Sequence, residues 1–285
     1  MTVRNISDTA RWVAWYRAVE SDRPDALFRD PYARRLAGER GAEIVRTLPG
    51  ARGLGWVMTV RTCLFDELIL RSVTSDGVDT VLNLACGFDT RPYRMALPTD
   101  LTWFEADLPP LIEEKRAALK GERPNCRLET IAIDLTDVAA RAELFHRINA
   151  GGRRTLVLTE GLLAYLGESA VLDLARALHE EPRFGLWITD LATPHILKYA
   201  MRRANAMLTE AQAPLLWAPE EGEEFFRRAG WAPAEFRLTG EEAKRLKRQM
   251  PFAWFLDLMF RLTPPRKRAE IARRYRAGVL LLRRE

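Results

Sequence analysis

Long uncharged stretches are missing from this sequence of 285 residues, because no run without Asp, Glu, Lys or Arg is longer than nine residues. A helix that crosses a membrane needs about 20 predominantly apolar residues, so no transmembrane segment is expected. The first eight residues also lack the apolar core of a secretory signal peptide. Hydrophobic residues still make up 47% of the chain, which is enough for a large folded core.

Cysteine and histidine are scarce, with three residues of each type. The cysteines, Cys63, Cys86 and Cys126, have neither the spacing of a zinc site nor the density of a disulfide framework. This usage suits a reducing compartment and predicts a cytoplasmic protein. The histidines are not paired at ligand spacing, so we expect no metal ion.

Basic residues are in excess, with a formal net charge of +5, which can indicate a nucleic-acid partner. However, the last 45 residues contain 13 basic and 5 acidic residues, whereas residues 1–240 contain 31 and 34. The excess therefore belongs to the C-terminal segment, where charge runs usually form a solvated face. No nucleic acid is expected at the site, although an anionic partner or membrane surface near Trp254 and Phe255 stays open.

The hydrophobic period changes near residue 80. Before it, apolar residues at helical spacing predict helices over 8–20 and 57–71. After it, short apolar segments alternate with helical segments, which predicts βαβ units and a parallel sheet. The predicted strands are Thr80–Ala85, Thr102–Asp107, Arg127–Ile133, Thr155–Thr159, Phe184–Thr189, Ala234–Thr239 and Gly278–Arg283.

The chain is predicted to form a single domain over residues 1–285. Its predicted parts are an N-terminal helical cap (1–75), a cofactor-binding half (76–193), a helical lid insertion (194–220) and the C-terminal half of the sheet (221–285). The insertion is inferred because the segment from Pro194 to Pro219, rich in Ala, Met and Leu, interrupts the alternation of strands and helices.

Glycine or acidic residues follow four successive predicted strands. Gly87 follows the first, Glu105 and Asp107 end the second, and Asp134 and Glu160 follow the third and fourth. Open α/β sheets bind ligands beyond the carboxyl ends of their strands, so these residues are candidates for one site. The dinucleotide pattern GxGxxG is absent, which favours a nucleoside without a pyrophosphate.

Each of these residues also has a plainer interpretation. Gly87 can be an ordinary turn glycine, and Glu105 with Asp107 can form a solvated strand end. Asp134 can cap the helix that follows it. Their order along the chain favours a common site more than any one of them does.

Several segments together resemble a known family. They are NLACGFDTRPYR (83–94), FEADLP (104–109), IDL (133–135) and TEGLLAYL (159–166), with further similarity near Ser7, Asp30 and Val60. This pattern, from about residue 7 to residue 185, resembles the bacterial leucine carboxyl methyltransferase-like family of S-adenosylmethionine-dependent methyltransferases.

The resemblance implies a class I methyltransferase fold: a Rossmann-like α/β sheet of seven strands, the last antiparallel, with an N-terminal helical cap. It also implies that Arg61 pairs with the methionine carboxylate of S-adenosylmethionine and that Glu160 holds its amino group. Ala85 and Gly87 would lie against the methionine portion. Ala85 is a departure, because many relatives have glycine there and its methyl group narrows the approach.

For the nucleoside, the resemblance implies that Asp107 binds the ribose, with Glu105 as its rival. Asp134 and Leu135 match the adenine contacts. Tyr165 can border the pocket of the methyl acceptor or pack beneath the following helix. No residue is assigned as a catalytic base.

The predicted function is O-methyl transfer to a carboxylate or hydroxyl group of a small molecule. The lack of histidine in the motifs favours a carboxylate, because a carboxylate is ionised at pH 7 and needs no base. A methyltransferase-like protein that binds without catalysing is an alternative. A nucleic-acid methyltransferase is less favoured, because Glu160–Leu163 lacks the Asn/Asp-Pro-Pro-aromatic tetrad.

Overall fold

The structure is a computed structural model that describes residues 6–47, 51–151, 154–200, 202–210, 213–250 and 253–285. Within these ranges the strands are β1 (Thr80–Leu84), β2 (Thr102–Asp107), β3 (Arg127–Ala132), β4 (Thr155–Thr159), β5 (Phe184–Ala192), β6 (Trp231–Leu238) and β7 (Ala277–Arg284). The α-helices are α1 (Ile6–Ser21), α2 (Ala33–Thr47), α3 (Gly55–Ser75), α4 (Arg91–Arg94), α5 (Pro109–Ala118), α6 (Val138–Gly151), α7 (Glu168–Glu180), α8 (Arg202–Glu210), α9 (Thr239–Arg245), α10 (Ala253–Leu262) and α11 (Pro265–Arg274).

All seven strands form one sheet in the order β3-β2-β1-β4-β5-β7-β6. Strands β1 to β5 are parallel, and β7 is antiparallel to both β5 and β6. The predicted α/β fold with an antiparallel last strand is therefore confirmed. The strand order reverses between β1 and β4, and ligands of open α/β sheets bind at such a point.

Helices cover both faces of the central strands. Every residue of β1 and β4 is buried, as expected for parallel strands enclosed on two sides. Val81 packs into a cluster with α3 and α9, whereas the neighbouring Leu82 packs into a cluster with α6 and α7. The two cores fix the sheet firmly, and with it the positions of the residues that follow each strand.

The first two helices contact the loop after β1. Arg17 of α1 donates to Asp30 (2.8 Å) and to the carbonyl oxygen of Phe88 (2.5 Å). Asp30 accepts a further hydrogen bond from Thr90 (2.6 Å), and its other oxygen accepts two backbone amides at the start of α2. This buried cluster joins α1, α2 and the β1 loop.

The predicted insertion is only partly helical. A π-helical turn (Ile196–Ala200) and α8 follow β5, but residues 213–219 have no regular secondary structure. Pro214 and Pro219 account for this difference, because proline disrupts the helical hydrogen-bond pattern. The helix predicted over Glu221–Ala229 is present, but it is a 3₁₀-helix over Gly222–Ala229. The division of the chain into cap, halves and lid stays a prediction.

The α10–α11 pair, residues 253–274, lies at the surface between α9 and β7. No side chain of α11 is buried. On α10, Trp254 and Leu262 are 69% and 72% exposed. Neither these nor the other helices in the described ranges are long and apolar enough to cross a bilayer.

Candidate active site

A cavity of about 330 Å³ lies beyond the carboxyl ends of β1, β2, β4 and β5. Its volume is within the range of roughly 300–1,000 Å³ that is usual for small-molecule sites. Residues of α1, α3 and α8 form part of the wall, and residues in or directly after the strands form most of the rest. The structure brings six of the predicted residues to this wall, namely Arg61, Ala85, Gly87, Asp107, Glu160 and Tyr165.

The turn after β1 places bare backbone at the cavity. Ala85 and Gly87 both have left-handed backbone conformations, with φ of 52° and 49°. A Cβ atom on Gly87 would lie 3.3 Å from the Cβ of Ala10 on α1, so the turn and α1 are closely packed. The amide of Gly87 donates to Oδ2 of Asp107 (2.7 Å), and the amide of Leu108 donates to Oδ1 (2.7 Å).

Asp107 is therefore held by two backbone amides at the end of β2. Burial raises its pKa above the usual value, and the hydrogen bonds from Gly87 and Leu108 oppose this effect. Each carboxylate oxygen has two lone pairs, so Asp107 retains acceptor capacity toward the cavity.

Two arginines and three carboxylates form a charge network in the cavity wall. Glu160 lies 2.9 Å from Nε of Arg61 and 2.7 Å from Nη1 of Arg91. Arg61 also contacts Asp190 (3.1 Å), and Arg91 contacts Asp89 (2.7 Å). Burial alone would raise the pKa of Glu160, but the two guanidinium groups outweigh it and hold this pKa below its usual value.

One donor in this network is unsatisfied. Nε of Arg61 lies close to Glu160 without hydrogen-bond alignment, and it has no hydrogen-bond partner in the part of the chain that the structure describes. The Arg61 side chain also lines the cavity, where its positive charge would stabilise a ligand carboxylate. Together with the bare turn at Gly87 and the free acceptor capacity of Asp107, this guanidinium fits the cofactor that the sequence implies.

Sequence reasoning gave no role to several members of the network. Arg91 and Asp89 lie in the segment that carries the family resemblance, and Arg91 also pairs with Asp66 of α3 (2.7 Å). Asp190 was missed because the fifth strand was predicted to end at Thr189. A longer strand would have placed this acidic residue at a strand end, where it accepts from the amide of Gly161 (2.6 Å).

Glu105 lies outside the cavity wall, although it shares a strand face with Asp107. Its carboxylate forms a buried ion pair with Lys115 of α5 (2.5 Å). Burial raises the pKa of Glu105, and Lys115 opposes this effect. The geometry thus gives Glu105 a structural partner, and its role as the rival ribose acid stays a prediction.

Asp134 and Leu135 also lie outside the cavity wall. Asp134 is exposed, and its Oδ1 accepts from the backbone amide (2.9 Å) and the hydroxyl (2.7 Å) of Thr136. These bonds lower its pKa, and they stabilise a local turn. Asp137, not Asp134, accepts the amide of Ala140 at the start of α6 (3.0 Å). The adenine contacts therefore stay a prediction.

The remaining wall is mostly apolar. It includes side chains of α1, α3, α8 and β5 and of the segments that follow β4 and α8, among them Val13, Met58, Leu162, Leu191, Leu208 and Trp217. Tyr165 is the polar residue predicted there, and burial raises its pKa to about 12. Its hydroxyl is therefore protonated at neutral pH and acts as a hydrogen-bond donor.

Metal-binding groups are not apparent in the same region. The described ranges contain no cluster of three or more His, Cys, Asp or Glu side chains suited to a metal ion. Within those ranges the carboxylates of the cavity wall instead face arginines or backbone amides.

Comparison with known proteins identifies the family. A family model described as leucine carboxyl methyltransferase matches residues 10–179. A relative from Frankia alni, provisionally named an S-adenosyl-L-methionine-dependent methyltransferase, is 32% identical over 266 residues, 85% of this chain and 89% of the relative. Relatives of the same provisional name in Mycobacteroides abscessus and Streptomyces coelicolor are 36% and 37% identical. Those two matches cover 59% and 62% of this chain but only 57% and 65% of the relatives.

Solved structures agree on the fold. A DUF574 family protein from Streptomyces avermitilis superposes with a TM-score of 0.63, over 97% of both chains, at 14% identity. A provisionally named methyltransferase from Thermobifida fusca has a TM-score of 0.61, over 100% of this chain and 96% of its own, also at 14% identity. The resemblance inferred from the sequence motifs is thus confirmed: the chain belongs to the leucine carboxyl methyltransferase family.

Proposed function

We propose that this protein methylates an oxygen atom of a small molecule, using S-adenosylmethionine, and that this oxygen belongs to the carboxylate of an apolar acceptor. Family membership and the names of the relatives support the coarser activity, that of an S-adenosylmethionine-dependent methyltransferase. The observation that carries the finer proposal is the cavity, where an ionised, arginine-paired network adjoins an apolar wall.

Four residues of the wall are suited to hold the cofactor. The guanidinium of Arg61 would bind the methionine carboxylate, and the ionised Glu160 would bind the amino group. Asp107 would accept the ribose hydroxyls, while Gly87 lets the ligand approach the backbone. When bound, S-adenosylmethionine supplies an electrophilic methyl group on a positively charged sulfur.

The cavity wall offers poor general bases. Tyr165 has a pKa raised to about 12 by burial, and burial also raises the pKa of the Cys86 thiol well above its usual value. The lining carboxylates of Glu160 and Asp190 are engaged by Arg61, and Asp89 is engaged by Arg91. Asp107 is held by two backbone amides and is assigned to the ribose of the cofactor. An alcohol or phenol would need a base, whereas a carboxylic acid is already ionised at neutral pH. These pKa values therefore support a carboxylate acceptor.

The apolar wall can still orient such an acceptor. Tyr165 and Trp217 line the cavity, and the Tyr165 hydroxyl is protonated at neutral pH. This hydroxyl is a neutral donor that would hold a carboxylate oxygen without a competing cation, while Trp217 would contact the apolar part of the acceptor. Correct alignment is the main contribution expected of the protein, worth about 7–11 kcal/mol in favourable cases.

Cofactor binding tests the site. We expect Gly87→Val to weaken binding of S-adenosylmethionine at least a hundredfold in isothermal titration, because the side chain enters the cofactor space and contacts Ala10. Gly121→Val is the matched control: Gly121 also has a positive φ (88°), but it has no neighbour within 4 Å and lies outside the cavity wall. Glu160→Ala should likewise abolish binding with the fold intact.

Three results would contradict the assignment. They are wild-type protein that does not bind at millimolar cofactor, a Gly87→Val protein with unchanged affinity, and equal losses in both glycine variants. Circular dichroism of each variant separates a lost site from a lost fold.

The acceptor class has its own test. Purified protein is incubated with methyl-labelled cofactor and paired acids and alcohols that share one apolar skeleton. We expect label in the acids, released as methanol by mild base because esters hydrolyse and ethers do not. Base-stable label in the alcohols would contradict the carboxylate proposal while leaving the methyltransferase activity in place.

A further inference from the structure

The α10–α11 pair exposes a stripe of large apolar side chains. Their exposed fractions range from 47% to 72%, and the residues are Trp254, Phe255, Leu258, Met259 and Leu262. At 3.6 residues per turn, this spacing places all five within an arc of roughly 140° on α10. Exposed apolar clusters of this kind usually mark an interaction surface.

The second helix of the pair, which follows this stripe in the chain, is rich in positive charge. Arg266, Lys267 and Arg268 lie in its first turn, and Arg273 and Arg274 in its last. Arg274 pairs with Glu270 (2.6 Å). The other four cations have no ion-pair partner among the side chains that the structure describes.

We propose that the α10–α11 pair binds the surface of an anionic lipid membrane. The apolar stripe of α10 would enter the boundary between headgroups and acyl chains, and the cations of α11 would contact lipid phosphates. Amphipathic helices of this composition lie in the plane of a membrane interface, where tryptophan is also favoured. With ten residues, α10 is only about 15 Å long, so it lies on the bilayer and does not span it.

Charge complementarity favours this occupant over others. A second copy of the chain would bring two clusters of unpaired cations together, which is repulsive. A nucleic acid would engage the cations but would leave the apolar stripe in water. An anionic bilayer satisfies both surfaces at once.

The pair is joined directly to the cavity wall. After α11, the Tyr275 ring packs 4.8 Å from that of His195, and Arg276 pairs with Glu223 (2.7 Å). The next residues, Ala277 and Gly278, line the cavity. Membrane binding would therefore hold the cavity close to the lipid, from which an apolar acceptor could partition. This last consequence rests on the proposed function, whereas lipid binding itself does not.

Vesicle sedimentation tests the proposal with the full chain and no cofactor. We expect at least tenfold tighter binding to phosphatidylcholine vesicles that contain phosphatidylglycerol than to pure phosphatidylcholine vesicles. The binding should weaken with added salt, because exposed charges are screened. Equal binding to both vesicle types, or no binding to either, would overturn the proposal.

Two variants address the two halves of the surface. Arg266→Glu/Lys267→Glu/Arg268→Glu should reduce binding more than tenfold, since each cation near an anionic membrane contributes about fivefold. Leu258→Ser/Met259→Ser should reduce it similarly by removing apolar contact. The controls are Lys120→Glu/Arg123→Glu, a basic pair exposed elsewhere, and Val138→Ser at a side chain that is 65% exposed.

Both controls should bind vesicles as the wild type does; a loss as large as in the α10–α11 variants would overturn the assignment to this surface. Sedimentation velocity provides a second readout. A wild-type dimer that Leu258→Ser/Met259→Ser converts to monomer would assign the stripe to a second copy and overturn the membrane proposal. Cofactor titration of the same variants should be unchanged, so failure here is distinguishable from failure of the proposed function.

Discussion

At the scale of single residues, the site depends on buried charges that are tolerated because they are paired. Around Arg61 and Arg91, the connected groups are three arginines and four carboxylates, namely Arg61, Arg91, Arg94, Asp66, Asp89, Glu160 and Asp190. This set has one net negative charge. The methionine end of S-adenosylmethionine has a sulfonium, an ammonium and a carboxylate, hence one net positive charge. The balance supports the proposed cofactor.

A prediction at this scale concerns the Glu105–Lys115 pair. Burial acts to lower the pKa of Lys115, but nearby charges, Glu105 among them, raise it above its usual value, so the ammonium is retained. We expect Lys115→Met to cost about 3–5 kcal/mol of unfolding free energy, because it leaves a buried carboxylate without its partner. Urea denaturation at pH 7 measures the loss.

The double variant Lys115→Met/Glu105→Gln is the companion experiment. It should recover most of the lost stability, since it removes both charges. If the two substitutions were additive, with the double variant as unstable as the sum of the singles, the pair would not be the coupled unit that the structure indicates.

At the scale of elements, the N-terminal helices are attached to the site through a few buried polar contacts. Arg17 joins α1 to Asp30, which lies just before α2, and to the loop that contains Gly87. The helices thus position the turn that the cofactor would approach. Their attachment should therefore affect binding as well as stability.

We expect Arg17→Met to lower the unfolding free energy by about 3 kcal/mol, because Asp30 then keeps a buried charge without its guanidinium partner. Affinity for S-adenosylmethionine should fall as the β1 loop loses its contact with α1. Arg23→Met is the control: Arg23 pairs with the exposed Asp25 (3.0 Å), and its looser contact with Glu20 (3.7 Å) is backed by Arg248 (2.9 Å), so its loss should cost less than about 1 kcal/mol. Equal stability of the Arg17 variant and wild type would show that this contact does not fasten the helices.

The secondary-structure elements also show how much of the structure could be predicted from the sequence. The parallel strands followed from the alternation of apolar and helical segments, which is a local pattern, and the antiparallel last strand followed from the family resemblance. Glu105 and Asp107 could not be separated in this way, since they share one strand face. Their tertiary contacts distinguish them. Lys115 of α5 pairs with Glu105, whereas Asp107, at the end of the same strand, lines the cavity. The pairing of Arg61 with Asp190, 129 residues apart, is likewise a product of the fold.

At the scale of the whole molecule, charge is divided between the site and the surface. The network in the cavity wall is slightly negative, while four cations of α11 have no ion-pair partner among the described side chains. The net charge of +5 therefore says little about the site. It reflects the basic C-terminal segment, whose charge differs in sign from that of the cavity wall.

The buried carboxylates give the whole molecule a predictable response to acid. Asp30, Asp89, Glu160 and Glu242 have pKa values below their usual ones, because paired arginines outweigh the effect of burial. Burial instead raises the pKa values of Glu105 and Asp107. A group whose pKa is lower in the folded state stabilises the fold above its unfolded pKa. That contribution is lost as the pH falls through the folded pKa.

More of these carboxylates have a lowered pKa than a raised one. We therefore expect the unfolding free energy to fall as the pH drops below the ordinary pKa values of 4.5 for Glu and 3.8 for Asp. Urea denaturation between pH 3 and pH 7, at intervals of about half a unit, would follow the loss. Glu160→Gln should start less stable at pH 7 and lose less on acidification, since it lacks one of the linked groups. Glu129→Gln is the control: its pair with Arg147 is solvent-exposed, so its curve should match that of the wild type. A wild-type stability that rises below pH 4 would mean that the strained burial of Glu105 and Asp107 outweighs the ion-paired network.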